Sequence, residues 1–378
     1  MTTETILTNA RIVTRTEVFE GTVHVRDGAV ASVDKGRSSV ASAEDLDGDH
    51  LLPGLIELHT DNLEKHFMPR PGVLWPSSLS AMIAHDTQIV GAGITTVLDA
   101  ICVGVYRDRE HRRQLLKTSI EAVQETARLG VLRADHLLHL RCEVSDPGVI
   151  EMFEPFEDEP LLRLVSVMDH TPGQRQWSDL KHYRQFHHGL SEAELATRMA
   201  VLMEDSERYS ARHRREIVER CRRRGLPLAS HDDTTEEHVD EAIADGITIS
   251  EFPTTLAAAE KARRSGMTTI MGAPNMVRGG SHSGNVSALD LASEGLLDGL
   301  SSDYVPSSLL HAAFLLEPQA GIPLPDAIAT VSANAAAMVG LDDRGEIAPG
   351  KRADLLRVRK VGDLPTVRTV WREGQRVL

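Results

Sequence analysis

The sequence predicts an α/β fold, a (β/α)8 barrel carrying a small composite β domain built from both chain termini. Three observations point there. The middle of the chain alternates short apolar strands with helical stretches, the pattern of a parallel sheet. Eight such strands can be placed along it, the number that closes a barrel. Short β segments joined by tight turns occupy both ends. At 378 residues the chain exceeds one ordinary domain. It accommodates a barrel of about 250 residues plus a smaller unit. The expected division is 1–52 with 341–378 as the composite β-sandwich domain, and 53–340 as the barrel.

Taken in order, ILTNARIVT and TVHVRDGAVASVD open the chain, with Asp27-Gly28 as a hairpin turn. The barrel strands are expected at Gly54–Asp61, Thr95–Ala100, His136–Val144, Leu164–His170, Leu226–Asp232, Thr248–Glu251, Thr268–Ala273 and Gly299–Asp303. Helical stretches between them include Arg107–Leu129, Ser191–Arg224, Thr235–Ala244, Thr255–Arg264 and Val305–Ala320. ADLLRVR and VRTVWREGQRVL, with a turn at Glu373-Gly374, complete the terminal sheet.

Composition narrows the function. Lysine and arginine against aspartate and glutamate give 41 − 56 = −15 with neutral histidine. That charge argues against nucleic acid and acidic membrane surfaces as partners. Cys102, Cys142 and Cys221 are far apart and lack CxxC spacing, as expected of reduced thiols in the cytoplasm. No signal peptide opens the chain and no apolar run reaches the roughly 18 residues of a membrane helix. The arginine-rich stretch 212–224 mixes signs and reads as a solvated helix face.

Polar residues gather where the strands end. The first strand delivers His59 and Asp61, which share a face because strand side chains alternate. The third ends in Glu143, the fourth in Asp169-His170 and the fifth in His231-Asp232. The sixth supplies Glu251, the seventh Asn275 and the eighth Asp303. One such histidine would be unremarkable in a core. A ring of imidazoles and carboxylates at equivalent barrel positions needs a counter-charge or a metal. Nitrogen and oxygen donors without thiolate suit zinc first, with manganese, iron or nickel as alternatives, in one or two sites per chain. Asp303 is suited to ligate one ion and to take a proton from water.

Cationic residues follow the metal motif directly: Lys65, His66 and Arg70. The loop VRGGSHSGN brings Arg278, two adjacent glycines and His282, a surround for a phosphate in the region where many barrels bind one. It lacks the GK[ST] of a P-loop. HTPGQR offers Arg175 as a weaker anion contact, while His111, His187 and His188 read as surface residues. A metal beside a basic loop points to hydrolysis of an anionic, phosphorylated small molecule.

The run ANAAAMVGLDDRGEIAPGKRADLLRV near the C-terminus resembles the ending of the amidohydrolase superfamily, and PGLIELHTD matches its first-strand signature with His-Thr-Asp in place of HxH. Within that superfamily, HTDNLEKHFMPRPGVLWP, HLRCEVS, MDHTPGQRQ, SHDD, GAPNMVRGGSHSGN and SSDYVPSSLL resemble the triphosphate-cleaving members of phosphonate metabolism, in the carbon–phosphorus lyase pathway. The resemblance spans essentially the whole chain. It implies a metallo-hydrolase barrel that converts α-D-ribose 1-methylphosphonate 5-triphosphate to the 5-phosphate and diphosphate. It further implies His59, Asp61 and Asp303 as ligands of one metal, Glu143 as ligand or bridge, and His170 and His231 as ligands of a second. Lys65, Arg70, Arg175 and Arg278 would offset the triphosphate charge, with His66 or His282 donating to the departing diphosphate.

The chain departs from the superfamily at two further points. The bridging lysine on the fourth strand is missing, and the sixth strand offers Glu251 where histidine is common. Two rivals stand beside this reading. One is an amidohydrolase cleaving the C–N bond of a cyclic amide or N-acyl amino acid. The other is a non-catalytic assembly subunit, against which the retained His59, Asp61, His170, His231 and Asp303 argue. A homo-oligomer stays open.

Overall fold

The computed structural model describes residues 4–104, 111–178, 180–186, 189–281 and 284–378. Eight parallel strands follow one another around the barrel: β1 (Leu55–Thr60), β2 (Ile94–Val103), β3 (Asp135–Glu143), β4 (Leu162–Met168), β5 (Leu228–His231), β6 (Ile249–Glu251), β7 (Thr268–Gly272) and β8 (Gly299–Ser301). All eight expected strands form, with ends displaced by a few residues. β2 is buried along almost its whole length, as a strand covered on both faces must be.

The circle closes at the site of interest. β1 and β8 meet through a single parallel bridge, Thr60 with Asp303. Asp61 N donates to Asp303 O (2.8 Å) and Asp303 N to His59 O (3.0 Å). The buried Glu57 carboxylate clamps the same seam, accepting from His59 N (2.7 Å) and Ser302 N (2.6 Å). The backbone that closes the barrel therefore also fixes His59, Asp61 and Asp303 relative to one another.

Inside the barrel, Ile56, Leu58, Leu98, Leu164, Ala229, Ile249 and Ile270 form an apolar floor. Ala335, Ala336 and Val339 pack against it. Each such aliphatic side chain contributes about 1.5–3 kcal/mol when fully buried. Polar groups consequently collect at the other end, where the strands finish.

A second sheet is built from both termini. Its strands run in the order Gln375–Arg376, Leu364–Arg372, Leu355–Val361, His50–Pro53, Glu4–Val13, Val18–Arg26 and Ala29–Lys35, with Glu44–Asp45 beside Glu4–Val13. The Asp27-Gly28 and Glu373-Gly374 turns form as expected, all four residues having positive φ.

The long helix Glu192–Arg224 is delimited by local chemistry. Ser191 and Glu194 make a capping box, and Gly225 closes the other end in the left-handed region. Among the described residues no helix is long and apolar enough to cross a membrane.

Candidate metal centre

At the C-terminal mouth of the barrel, three imidazoles are each oriented by a carboxylate. His59 Nδ1 donates to Glu251 Oε1 (2.8 Å), His231 Nδ1 to Asp232 Oδ2 (2.8 Å) and His170 Nδ1 to Glu143 Oε2 (2.7 Å). A proton held at Nδ1 leaves Nε2 with its lone pair, and a carboxylate partner fixes ring orientation and raises basicity. Among the described residues, His59 Nε2, His231 Nε2 and Glu251 Oε2 are buried and have no hydrogen-bond partner. Leaving such atoms unpaired costs about 1–3 kcal/mol each. Their convergence is what a divalent cation would relieve.

Donor atoms within metal-binding reach fall into overlapping groups: His59, Asp61 and Asp303; His170, His231 and Asp232; and His59, His231 and Glu251. His59 Nε2 lies 3.7 Å from Asp61 Oδ1. His231 Nε2 lies 3.9 Å from Glu251 Oε2, and His170 Nε2 3.5 Å from Asp232 Oδ2. Nitrogen and carboxylate donors of this kind fit a divalent transition ion.

Local backbone geometry turns these groups inward. Asp232 and Phe252, directly after β5 and β6, and Asp303, two residues after β8, all have φ between 52° and 56°. Left-handed backbone at non-glycine residues costs on the order of 1–3 kcal/mol and collects at functional sites. Gly104, after β2, has φ 107°, and a Cβ there would meet Glu143 Cβ at 2.9 Å. The chain can pass behind the Glu143–His170 pair only without a side chain.

The electrostatics follow from burial and neighbours. Burial and the nearby Asp61 raise the Asp303 carboxyl above its ordinary range. Burial opposes charge on His170, but Glu143 and Asp232 outweigh it and lift the imidazole to about 9. His139 packs edge-on beside His59, with ring centroids 5.1 Å apart, and burial pushes it down to about 3. It stays neutral, donating to Leu58 O and accepting from Ser166.

A cavity of about 260 Å³ opens over this cluster, lined by His59, Asp61, His170, His231, Asp303 and Arg141 among others. Several expected residues stand elsewhere. Glu143, expected as ligand or bridge, has both oxygens engaged by the His170 ring and backbone and by Ser145. Arg175, expected as an anion contact, is buried behind His231. Its guanidinium donates to His231 O (3.1 Å), Asp233 (2.8 Å) and Glu241 (3.1 Å). The tight loop at Arg175, φ 49°, tucks the side chain under the fifth strand rather than over the mouth.

His66 faces Gln88 (3.0 Å) and Asn62 (3.3 Å) on the flank. Lys65 donates to Tyr304 O and lies over the Tyr304 ring, while Arg70 and Arg278 are exposed and outside the cavity lining. His282, His187 and His188 lie outside the described residues, as does the His111 side chain. Arg141 was not singled out by sequence, although it sits two residues before Glu143 and so on the same face of β3.

The amidohydrolase family model matches residues 50–377. The chain belongs to the amidohydrolase family. This amidohydrolase is 46% identical over 377 residues to the α-D-ribose 1-methylphosphonate 5-triphosphate diphosphatase of Escherichia coli, covering 98% of this chain and 100% of that one. It is also 26% identical to an imidazolonepropionase of Deinococcus deserti, over 96% and 93% of the two chains. Among solved structures it is similar to the dihydropyrimidinase of Brevibacillus agri, with TM-score 0.65 and 13% identity over 100% and 95% of the chains. A mutant N-acetyl-D-glucosamine-6-phosphate deacetylase of Mycobacterium smegmatis gives TM-score 0.65 and 15% identity over 100% of both. At those identities the two structures speak to the amidohydrolase fold alone.

Proposed function

We propose that this chain hydrolyses α-D-ribose 1-methylphosphonate 5-triphosphate to the 5-phosphate and diphosphate, a step of phosphonate catabolism. The observation that carries the reading is the full-length similarity to the E. coli diphosphatase. The convergent, unpaired donor atoms at the barrel mouth supply the means. This makes the chain a hydrolase of a phosphoric anhydride bond.

His59, Asp61 and Asp303 would hold one divalent ion, and His170 and His231 a second, with zinc favoured by the donor set. Glu251, Asp232 and Glu143 act through the Nδ1 atoms of the three histidines, fixing which nitrogen is presented. Bound ions supply positive charge to the phosphoryl oxygens and acidity to a water molecule. Asp303, facing the cavity from the barrel seam, accepts the proton as the water oxygen attacks the α-phosphorus. The bond from that phosphorus to the bridging oxygen breaks, and the electron pair leaves with diphosphate. Diphosphate departs readily as an anion, so the chemistry asks for charge neutralisation there rather than an acid at His66 or His282. A cytoplasmic setting accords with three cysteines that form no disulfide.

Phosphorus NMR of the purified, metal-supplied protein acting on this triphosphate in oxygen-18 water tests the reading. The label is expected in the sugar monophosphate. Label only in diphosphate contradicts attack at the α-phosphorus. Cleavage of an amide panel with the triphosphate untouched would replace the reading by C–N hydrolysis.

A further inference from the structure

A triphosphate entering this cavity meets a wall rich in negative charge. Asp61, Asp232 and Asp303 all line it. The cations that the sequence offers for a phosphate lie elsewhere: Lys65 on Tyr304, Arg70 and Arg278 on the surface, Arg175 behind His231. Among the described residues, one lysine or arginine side chain lines the cavity, and it is Arg141.

Arg141 is unusual in its contacts. Its side chain is 14% exposed, and that remnant borders the cavity. Nη1 donates to Asp61 Oδ1 at 2.6 Å, and among the described residues Nε is buried with no partner. Compare Arg175, whose guanidinium reaches three acceptors. A guanidinium carries five N–H donors in a rigid fork. Burying one with a single acceptor is costly unless something else completes the set. The missing acceptor must be an oxygen-bearing, preferably anionic group that enters from the cavity, and a phosphoryl group matches the fork.

The location agrees with this requirement. Asp61 Oδ1, which Arg141 grips, lies 3.7 Å from His59 Nε2. The guanidinium is therefore two contacts from the unpaired imidazole nitrogen on which the proposed chemistry centres. It is also anchored on a strand, β3, rather than on a loop, so it is pre-positioned before substrate arrives.

We propose that Arg141 is the phosphate-recognising residue of this site, its Nη atoms donating to a non-bridging oxygen of the phosphoryl group under attack while Asp61 holds the fork in place. This rests on the triphosphate reading above. It assigns the specificity of this barrel for a phosphoryl group over a neutral carbonyl to one guanidinium.

The test compares wild type with Arg141→Gln and Arg141→Lys. For each, three quantities are measured: metal per chain by elemental analysis, the dissociation constant of inorganic triphosphate by calorimetry, and kcat and KM on the ribose triphosphate. Arg141→Gln is expected to keep its metal, to bind triphosphate at least tenfold more weakly, and to lose about 100-fold or more in kcat/KM. Added guanidinium ion should restore part of that loss, and Arg141→Lys should fall between the two. Unchanged triphosphate affinity in Arg141→Gln overturns the proposal. So does loss of metal with binding and turnover restored by excess metal, because Arg141 would then only support Asp61. If wild type binds triphosphate through Arg141 but cleaves none, the diphosphatase reading falls and the Arg141 assignment survives. If wild type neither binds nor cleaves it, both fall.

Discussion

Two clusters of imidazole and carboxylate in this molecule have nearly the same composition and opposite character. One is the barrel mouth. The other lies on the barrel flank, where His85 and Asp86 of the helix Ser78–Gly91 meet Asp99 of β2 and His136 of β3. On the flank, Asp99 accepts from His85 Nε2 (2.7 Å) and His136 Nδ1 (2.8 Å). Asp86 accepts from Arg133 N (2.9 Å) and Ala134 N (3.0 Å), with His136 Nε2 at 3.4 Å. Asn62 donates to the remaining nitrogen of His85 (3.0 Å). The four side chains are at most 1% exposed, and His136 stands between the carboxylates of Asp99 and Asp86. At the mouth, Glu251 and Asp232 occupy Nδ1 of His59 and His231, and among the described residues Nε2 of both has no hydrogen-bond partner. The two flank atoms that lack a hydrogen bond among the described residues, His136 Nε2 and Asp86 Oδ2, each face an opposite charge, Asp86 Oδ1 at 3.4 Å and Arg133 Nη1 at 3.5 Å. The mouth is complete only with something added. Residue type alone does not mark a metal centre; unpaired nitrogens from two imidazoles converging on carboxylates beside one cavity do.

Substitutions can break this contrast from either side. Asp303→Asn is expected to reduce turnover about 10²–10⁴-fold, the range for a lost general base, with an unchanged folded circular dichroism spectrum. Near-normal turnover would remove Asp303 from the chemistry. On the flank, His136→Ala strands two buried carboxylates and should cost about 3–5 kcal/mol in denaturant unfolding. The fraction that remains folded should keep its metal and its kcat. Comparable metal loss in that variant would erase the distinction between the clusters.

Smaller effects sharpen it. Glu143→Gln leaves His170 without its carboxylate and should weaken metal affinity about 10–100-fold, read by metal titration, with turnover recovered at saturating metal. Turnover that stays lost at saturation would make Glu143 more than an orienting partner. Flank electrostatics also predict a pH dependence. Burial opposes charge on His136, but Asp99 and Asp86 raise it to about 9, above its ordinary value. Its stabilisation is therefore fully present below about 6.5 and lost as pH rises through 9. Melting temperature should fall across that window, and less steeply in His136→Gln. Least affected should be Lys65→Ala and Arg278→Ala, exposed and outside the cavity lining, with kcat/KM changed by roughly threefold or less.

The same contrast explains what the sequence discloses. Strand alternation, the Ser191 capping box and the Asp27-Gly28 turn are local signals, and the barrel with its terminal sheet follows from them. His59, Asp61, His170, His231 and Asp303 are legible because each sits where an apolar strand stops. Partnership is not legible, because it depends on atoms brought together across the barrel. Glu143 looks like a ligand in sequence, yet it lies behind His170. Arg175 looks like a free cation, yet a left-handed turn folds it under β5. Arg141, two residues from the end of β3 in HLRCEVS, carries no marker of its own, and only closure of the barrel against Asp61 reveals it.

Anomalous diffraction from crystals of the metal-loaded protein, collected at the absorption edge of the bound element, addresses the central claim. Peaks are predicted among the Nε2 atoms of His59, His170 and His231 and beside Asp303, with none between His85, Asp99 and His136. A featureless mouth, or a peak on the flank, would contradict the account.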